Sequence, residues 1–531
     1  MTLCLFRRIF DKERAMFGKK KSVSDDTMKL DFKRTLFVGF GFMGIMCFWE
    51  VYDYIMPLIL NRVFGLNATT YGVIMGLDNL LAIFLLPLFG HLSDRYTKAK
   101  YGRRTTFIVT GTVLAVAGII VMIVVENLQY IKVMEAAIDN PQALIDKGYL
   151  NPEVWTAEIQ AIWNGGAGAE TQAYKDFLTQ LYAAQTAMAN DVMKANPAII
   201  GGFIATLLVV LVAMSSFRSP AIALMPDVTP KPLRSQANAL ITFMGGAGGL
   251  ASIILYTVLA KKRYQSHIAL FCTLGGVMLL MLLAFMLTVR EKKFVQMRYE
   301  EEAKWGIVDE EEATGNAPLA KEKKVSLVLI LATVFLWFLG WNAIKSHLST
   351  YATNVLKFDD GFVGIINILN GAGGAIALLP VALMASRWGR KKTILAGVVI
   401  AVAAFIPCIF LNDSIDAIAL KVAFTACFLI AGFGLVIINV NTLPMVTELA
   451  KGSNVGQYTG YYYVASMTAQ AITPMIGGAL MDAVPENRKS VIFIYGIVCI
   501  ALAFVTMILT KHGDNKPEKK KKVIEYFGEE D

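Results

Sequence analysis

Charge is what this sequence has least of. Of its 531 residues, 17% are Asp, Glu, Lys or Arg, against about 25% in an ordinary soluble domain, while 56% are hydrophobic. That balance excludes a soluble multidomain enzyme, a secreted disulfide scaffold and a disordered chain. Cysteine is scarce too. Cys4 lies in the N-terminal tail, and Cys47, Cys272, Cys408, Cys427 and Cys499 lie in apolar stretches without a C-x-x-C pair. Neither a metal cage nor a redox pair is expected. There is no Walker A sequence, no H-E-x-x-H and no G-x-S-x-G, so ATP-driven transport and common hydrolase chemistry lose their support. Gly39 to Gly44 fits G-x-G-x-x-G, but no strand precedes it. No cofactor, no metal and no enzymatic activity are expected.

What is present is a series of apolar blocks about 20 residues long, enough to cross a hydrocarbon core of about 30 Å. Twelve are read: 35–60, 70–92, 105–127, 197–217, 236–260, 266–289, 325–344, 361–384, 393–411, 422–447, 458–481 and 490–510. In lipid these must be helices, because each backbone polar group needs an internal partner. The expected class is an all-α membrane protein of twelve transmembrane helices in two six-helix halves. Its divisions are a tail 1–34, a first half 35–289 holding an insertion 128–196, a linker 290–324, a second half 325–510 and a basic tail 511–531. The charged tail 1–34 has no apolar signal-peptide core, so the first span is expected to serve as its own insertion signal.

The bases orient the bundle. Of 50 Lys and Arg, 37 fall in the two tails and the even-to-odd loops, and 13 on the opposite side. The positive-inside rule therefore expects both termini in the cytoplasm, in a plasma membrane. Lys261, Lys262 and Arg263 are a local exception on the outer side. The net charge of +9 is accounted for by these flanking bases, so no nucleic acid is expected. None of the 50 bases falls inside a span as bounded here.

The halves carry matching motifs. Leu85-Leu86-Pro87 followed by Gly102-Arg103-Arg104 corresponds to Leu378-Leu379-Pro380 followed by Gly389-Arg390-Lys391. Pro226-Asp227-Val228-Thr229 corresponds to Pro444-Met445-Val446-Thr447. Both pairs join corresponding spans, as in transporters built from two parallel repeats.

Four acids fall in the spans: Glu50, Asp53, Asp78 and Glu126. Acids in a membrane are costly and mark function. At about 1.5 Å per residue, Asp53, Asp78 and Glu50 lie about 10, 12 and 15 Å from the outer span ends. With no base in any span to neutralise them, they are expected to bind a proton or help ligate sodium. Glu126 is read as interfacial, and His347 as a loop residue. Candidates for a hydroxyl-matching pocket are Trp49, Tyr52 and Asn79, with Trp337, Trp341, Asn342, Asn367, Asn370, Asn439 and Asn441 in the second half. The runs Gly245 to Gly249 and Gly371 to Gly374 are read as close helix packing.

Gly90-His91-Leu92-Ser93-Asp94-Arg95 with Gly102-Arg103-Arg104 resembles the loop 2–3 signature of the major facilitator superfamily, in a stretched form similar to the sucrose/proton symporters and the glycoside–pentoside–hexuronide group. Arg218-Ser219-Pro220, Ala223 to Asp227, Arg234 to Asn238 and Tyr458 to Tyr462 extend the resemblance to residues 35–510, without the insertion. It implies gating roles for Gly90, Asp94, Arg95, Gly102, Arg103 and Arg104, and a second lock of Asp227 with Arg218 or Arg234. Ile222 stands where plant sucrose carriers have arginine, which argues against sucrose itself. Ser386 stands where the second copy of the signature would have aspartate. The membrane acids point to cation-coupled symport, with protons preferred to sodium, and the resemblance implies a sugar or glycoside as the solute. The expected working unit is a monomer in the lipid bilayer. The alternatives are an exporter or facilitator of another small solute, and a transporter-like sensor using the insertion to bind a partner.

Overall fold

The computed structural model describes residues 30–96, 101–168, 171–230, 233–260, 262–304, 321–449, 455–485 and 488–514. Lys261, residues 97–100 of the stretched loop, 305–320 of the linker and most of both tails lie outside the described residues.

Among the described residues the chain forms sixteen α-helices. They are α1 (Phe32–Leu58, continued by a π turn Ile59–Val63), α2 (Ala68–Arg95), α3 (Arg103–Glu135), α4 (Pro141–Asp146), α5 (Ala157–Trp163), α6 (Gln172–Ala195), α7 (Pro197–Val228), α8 (Arg234–Leu259), α9 (Ile268–Thr288) and α10 (Glu291–Lys304). They continue as α11 (Lys321–Asn354), α12 (Asp360–Trp388), α13 (Arg390–Cys408), α14 (Ala417–Glu448), α15 (Val455–Asp482) and α16 (Val491–Leu509). Among the described residues, eleven helices meet the length and hydropathy expected of a membrane span. The 29-residue α12 falls on the remaining predicted span. The twelve spans are thus α1–α3, α7–α9 and α11–α16.

The starts follow from local chemistry. The Asp31 carboxylate accepts from the Arg34 N–H at 3.0 Å and opens α1. The Asn67 side chain accepts from Thr70 N at 3.0 Å and opens α2. Each satisfies an otherwise orphaned donor of the first turn.

Several helices outrun their apolar blocks. α7 continues eleven residues past the predicted end at 217, and α11 ten past 344. An apolar run marks only what faces lipid. A helix continues wherever neighbouring helices satisfy its polar side chains. The expectation that no base lies within a span is therefore corrected: Arg218 sits in α7 and Lys345 in α11. His347 is likewise helical and fully buried, not a loop residue, with Nδ1 3.0 Å from the Ala343 carbonyl oxygen. Glu126 is not interfacial. It is fully buried and meets His267 Nδ1 at 3.0 Å.

Within the first half α1 packs on α8 and α9, and α3 on α7; within the second, α13 packs on α14, and α11 on α16. The halves meet along α2 with α15, α8 with α12, and α1 with α11. Glycine permits the closest approach. A Cβ on Gly72 would lie 2.2 Å from the Pro474 carbonyl oxygen, and one on Gly76 2.1 Å from that of Ala471. The face of α2 that buries Gly72 and Gly76 continues through Leu80 and Phe84, where it is exposed. The matching face of α15 runs back from Ala471 to exposed Val464 and Gly460. The two helices touch at the end carrying the insertion and diverge toward the end carrying the linker.

Residues 128–196 form a cap at the insertion end. Leu144, Leu150, Ile159, Phe177, Leu181 and Met188 are buried within it. Arg263 ties this cap down: its guanidinium lies 3.6 Å over the Tyr182 ring, donates to Gln185 Oε1 at 3.1 Å and donates to Asn354 Oδ1 at 3.0 Å. That packing role accounts for a base on the sparsely basic side.

Candidate functional site: charges between the halves and locks at both ends

α1 carries Trp49, Glu50, Tyr52 and Asp53 on successive turns, and the first contact they offer across the interface is ionic. Lys345 Nζ on α11 donates to Asp53 Oδ2 at 2.7 Å. Both side chains remain partly accessible, at 41% and 33%, so the pair borders solvent rather than sealed core. Glu50, one turn earlier on the same face, packs against Gly249 of α8, where an added Cβ would lie 3.0 Å from its Cγ. It makes no hydrogen bond or ion pair among the described residues. On α2, Asp78 accepts from the Asn79 side-chain amide at 2.8 Å. Arg218 on α7 lies 5.4 Å over the Trp49 ring, and its charge acts on both Asp78 and Asp53.

This corrects two expectations. The acids are not left without cations, because Lys345 and Arg218 share their environment. Arg218 does not lock Asp227; it stands over Trp49 instead. Lys345 lay one residue beyond the span as drawn. The signal that would have found it is the absence of any helix breaker from Asn342 to Thr353.

The aromatic candidates cluster. Tyr52 stacks on Phe48 at 5.6 Å and meets Trp49 edge-on at 5.5 Å. Trp337 stacks on Trp341 at 6.3 Å. Trp49 Nε1, Tyr52 Oη, Trp337 Nε1 and Asn439 Oδ1 are buried without a hydrogen-bond partner among the described residues, a condition native interiors rarely leave unused. The other amides are engaged locally. Asn342 and Asn441 donate to carbonyls of their own helices at 3.0 and 2.7 Å. Asn370 fills the space beside Gly432. Asn367 donates to Tyr256 Oη across the halves at 3.2 Å.

At the linker end, the signature residues join helices of the first half. Asp227 Oδ2 receives both Arg103 and Arg104 at 3.0 Å. Arg104 also pairs with Asp94, bonds Ser93 and donates to the Gly90 carbonyl at 3.3 Å. Arg95 is exposed at the end of α2. Arg234 donates to the Pro226 carbonyl at 3.2 Å and not to Asp227; the expected lock with Asp227 is made by Arg103 and Arg104. Gly102 has φ +130°, and a Cβ there would strike the Glu291 carboxylate at 2.2 Å. That carboxylate caps α3 through Arg104 N and Thr105 N at 3.1 and 2.7 Å. The second half repeats the arrangement: Gly389 has φ +86°, Asp514 caps α13 through Lys391 N at 3.2 Å, and Arg390 pairs with Glu448 at 3.0 Å.

At the insertion end the bonds cross between halves. The Asp482 carboxylate of α15 accepts from Ala68 N at 3.1 Å, Thr69 N at 2.8 Å and Thr69 Oγ1 at 2.6 Å, so it caps α2 from the opposite half. Tyr71 Oη and Thr350 Oγ1 are 2.8 Å apart, and Asn354 Nδ2 donates to Asn61 Oδ1 at 3.2 Å. Sequence reasoning missed all of these contacts, since capping and pairing across halves leave no periodic trace.

Known proteins place the chain. Residues 181–366 and 356–527 match the profile of the Major Facilitator Superfamily, and residues 37–137 match one described as MFS/sugar transport protein. No curated protein matches the chain significantly. A D-xylose-proton symporter structure aligns with TM-score 0.58 at 13% identity, covering 91% of this chain and 98% of that one. The xylose transporter XylE from E. coli, in a partially occluded inward open conformation, gives 0.54 at 14%, covering 90% and 97%. An inward-facing bacterial homologue of the iron transporter ferroportin gives 0.53 at 14%, covering 91% and 99%. At such identities the likeness is one of fold. With the superfamily profile spanning most of the sequence and the fold shared along nearly the whole chain, this protein belongs to the major facilitator superfamily of secondary transporters.

Proposed function

We propose that the protein is a proton-coupled symporter of a sugar or glycoside, working as a monomer in the plasma membrane with both termini in the cytoplasm. The observation that carries the coupling is the charge balance around Asp53 and Lys345. Three carboxylates (Glu50, Asp53, Asp78) face two cations (Lys345, Arg218), so the group is one negative charge in excess. One proton balances it. Glu50, which has no partner, is the natural carrier, while Asp53 and Asp78 hold the cations in place. A sodium ion would need several oxygens at once, and Lys345 and Asn79 already engage one oxygen each of Asp53 and Asp78.

The distribution of bases supports placing the linker end inside, which makes this state inward-open. Protonation of Glu50 removes one of the negative charges on α1 that attract Lys345 across the halves, and a shift of a few kcal/mol redistributes two such states. Support for a sugar comes from the profile over residues 37–137, from the ring faces of Trp49, Tyr52 and Trp337 whose polar atoms have no partner among the described residues, and from the Asn439 amide oxygen, likewise without one. The signature pairs Asp94 with Arg104, and Asp227 with Arg103 and Arg104, are proposed to hold the linker-end helices as one gating unit with Gly90, Gly102, Arg95 and Arg234. A cationic solute would balance the same excess charge without a proton. The test is uptake of radiolabelled mono- and disaccharides by proteoliposomes under an imposed pH gradient. Accumulation abolished by a protonophore is the expected result, and flux independent of the pH gradient favours the cationic or uncoupled reading.

A further inference from the structure

We infer that the space beneath the insertion is a second, outer binding site for the transported solute. The inference rests on the sugar reading above and extends it to a place no motif indicates. A cavity of about 740 Å³ lies between α6 of the insertion and the insertion ends of α1, α2, α11 and α15. Small-molecule sites range over about 300–1,000 Å³. Its walls come from both halves as well as from the cap.

The lining specifies the ligand class. Asn67, Gln180 and Asn190 contribute amides, and Thr70, Thr179 and Thr186 hydroxyls. The Gln180 amide makes no hydrogen bond among the described residues. Asp191 and Asp482 are matched in number by Lys194 and Lys489, so the lining favours neither net anions nor net cations. The ring face of Tyr182 is taken by Arg263 and Lys357, at 3.6 and 4.9 Å. The Thr179 and Thr186 hydroxyls donate to the Lys175 and Tyr182 carbonyls and the Asn190 amide to that of Gly65, so a neutral, hydroxyl-rich solute meets their acceptor oxygens and the open Gln180 amide without a strong stacking surface. The site is one for weak, rapid capture.

Its position gives it a role. Tyr71, Thr350, Asn61 and Asn354, which line the cavity, also make the bonds that close the halves over the centre. Thr350 and Asn354 lie five and nine residues beyond Lys345 on α11, about 8 and 14 Å along the axis. The cavity floor is thus the closed gate, and parting that gate joins the outer site to the charged centre. The insertion holds solute at the mouth while the inner side is open.

Hydrogen–deuterium exchange of the purified full-length protein tests this, with and without saturating amounts of each mono- and disaccharide of the transport panel. A transported sugar is expected to protect peptides from α6 and from the start of α2, in addition to α1 and α11. Gln180→Trp, which fills the cavity from an exposed position, and Gln180→Ala, which removes only the amide, are expected to lose protection at α6 and keep it at α1. Protection confined to the central helices, and unchanged in both variants, overturns the outer site alone. No protection anywhere by any sugar overturns the sugar reading and the outer site with it.

Discussion

Asp53 and Lys345 belong to different halves of the molecule and are joined at 2.7 Å. A pair so placed reports on the relation between the halves. Because it is partly exposed, its worth is nearer about 1 kcal/mol than the several expected of a sealed pair. That suffices to shift a two-state population about fivefold. In a double-mutant cycle, Asp53→Asn and Lys345→Met should each change the inward-open fraction, measured by spin-label distances across the linker end. The double variant should show a coupling of about 1 kcal/mol. Strict additivity would mean that the contact carries no coupling between the halves.

Asp482 acts as a helix cap supplied by the other half. Replacing a capping side chain with alanine costs about 1 kcal/mol, and here that cost falls only on the state in which the insertion end is closed. Asp482→Ala should therefore favour opening at that end. A cysteine at Thr350, buried below the latch, should react with an impermeant maleimide several times faster in this background. An unchanged rate would show that the latch does not hold the end closed.

The glycines of α2 set how closely α15 can approach. Gly76→Leu introduces a side chain where even a Cβ would meet the Ala471 carbonyl at 2.1 Å. The closed contact cannot form without shifting backbone, so the variant should populate the opposite state. Spin-label distances at the linker end should shorten while those at the insertion end lengthen. Wild-type distances at both ends would contradict the packing described.

Arg104 and Arg103 both reach Asp227, yet their burial differs. Arg104 is 5% exposed and also serves Asp94, Ser93 and Gly90, whereas Arg103 is 41% exposed. Removing Arg104 strips the buried Ser93 hydroxyl and the partly buried Asp227 of a shared partner, at a cost of about 2 kcal/mol, while removing Arg103 should cost less than about 1 kcal/mol. Thermal unfolding in detergent should show a much larger drop in Tm for Arg104→Ala than for Arg103→Ala. Equal drops would mean that Arg104 is not the centre of the cluster.

Much of this was legible in the sequence because lipid imposes a strong rule: apolar blocks become helices, and each predicted span is met by a helix. The acids of α1 and α2 were also legible, since carboxylates are conspicuous in apolar surroundings. Lys345 was not. Hydropathy ends a span where polarity rises, but α11 continues because Lys345, Thr350 and Asn354 find partners on other helices. Arg218 was misplaced for the same reason, read with the loop although α7 carries it toward Trp49. Glu126 looked interfacial because its partner, His267, is far away in sequence. Asp482 gave no signal and Arg263 showed only as a base on the wrong side, since their roles depend on how two halves and an insertion meet.

The most direct test of the account is proton-driven accumulation by Glu50→Gln and Asp53→Asn beside the wild type, in proteoliposomes with a pH gradient and a transported sugar. If the excess charge at the centre couples proton to solute, the wild type accumulates sugar uphill. Glu50→Gln should then only equilibrate it while retaining sugar–sugar exchange, and Asp53→Asn should lose accumulation with exchange reduced. Undiminished uphill accumulation in both variants would contradict the central claim and remove these carboxylates from the coupling.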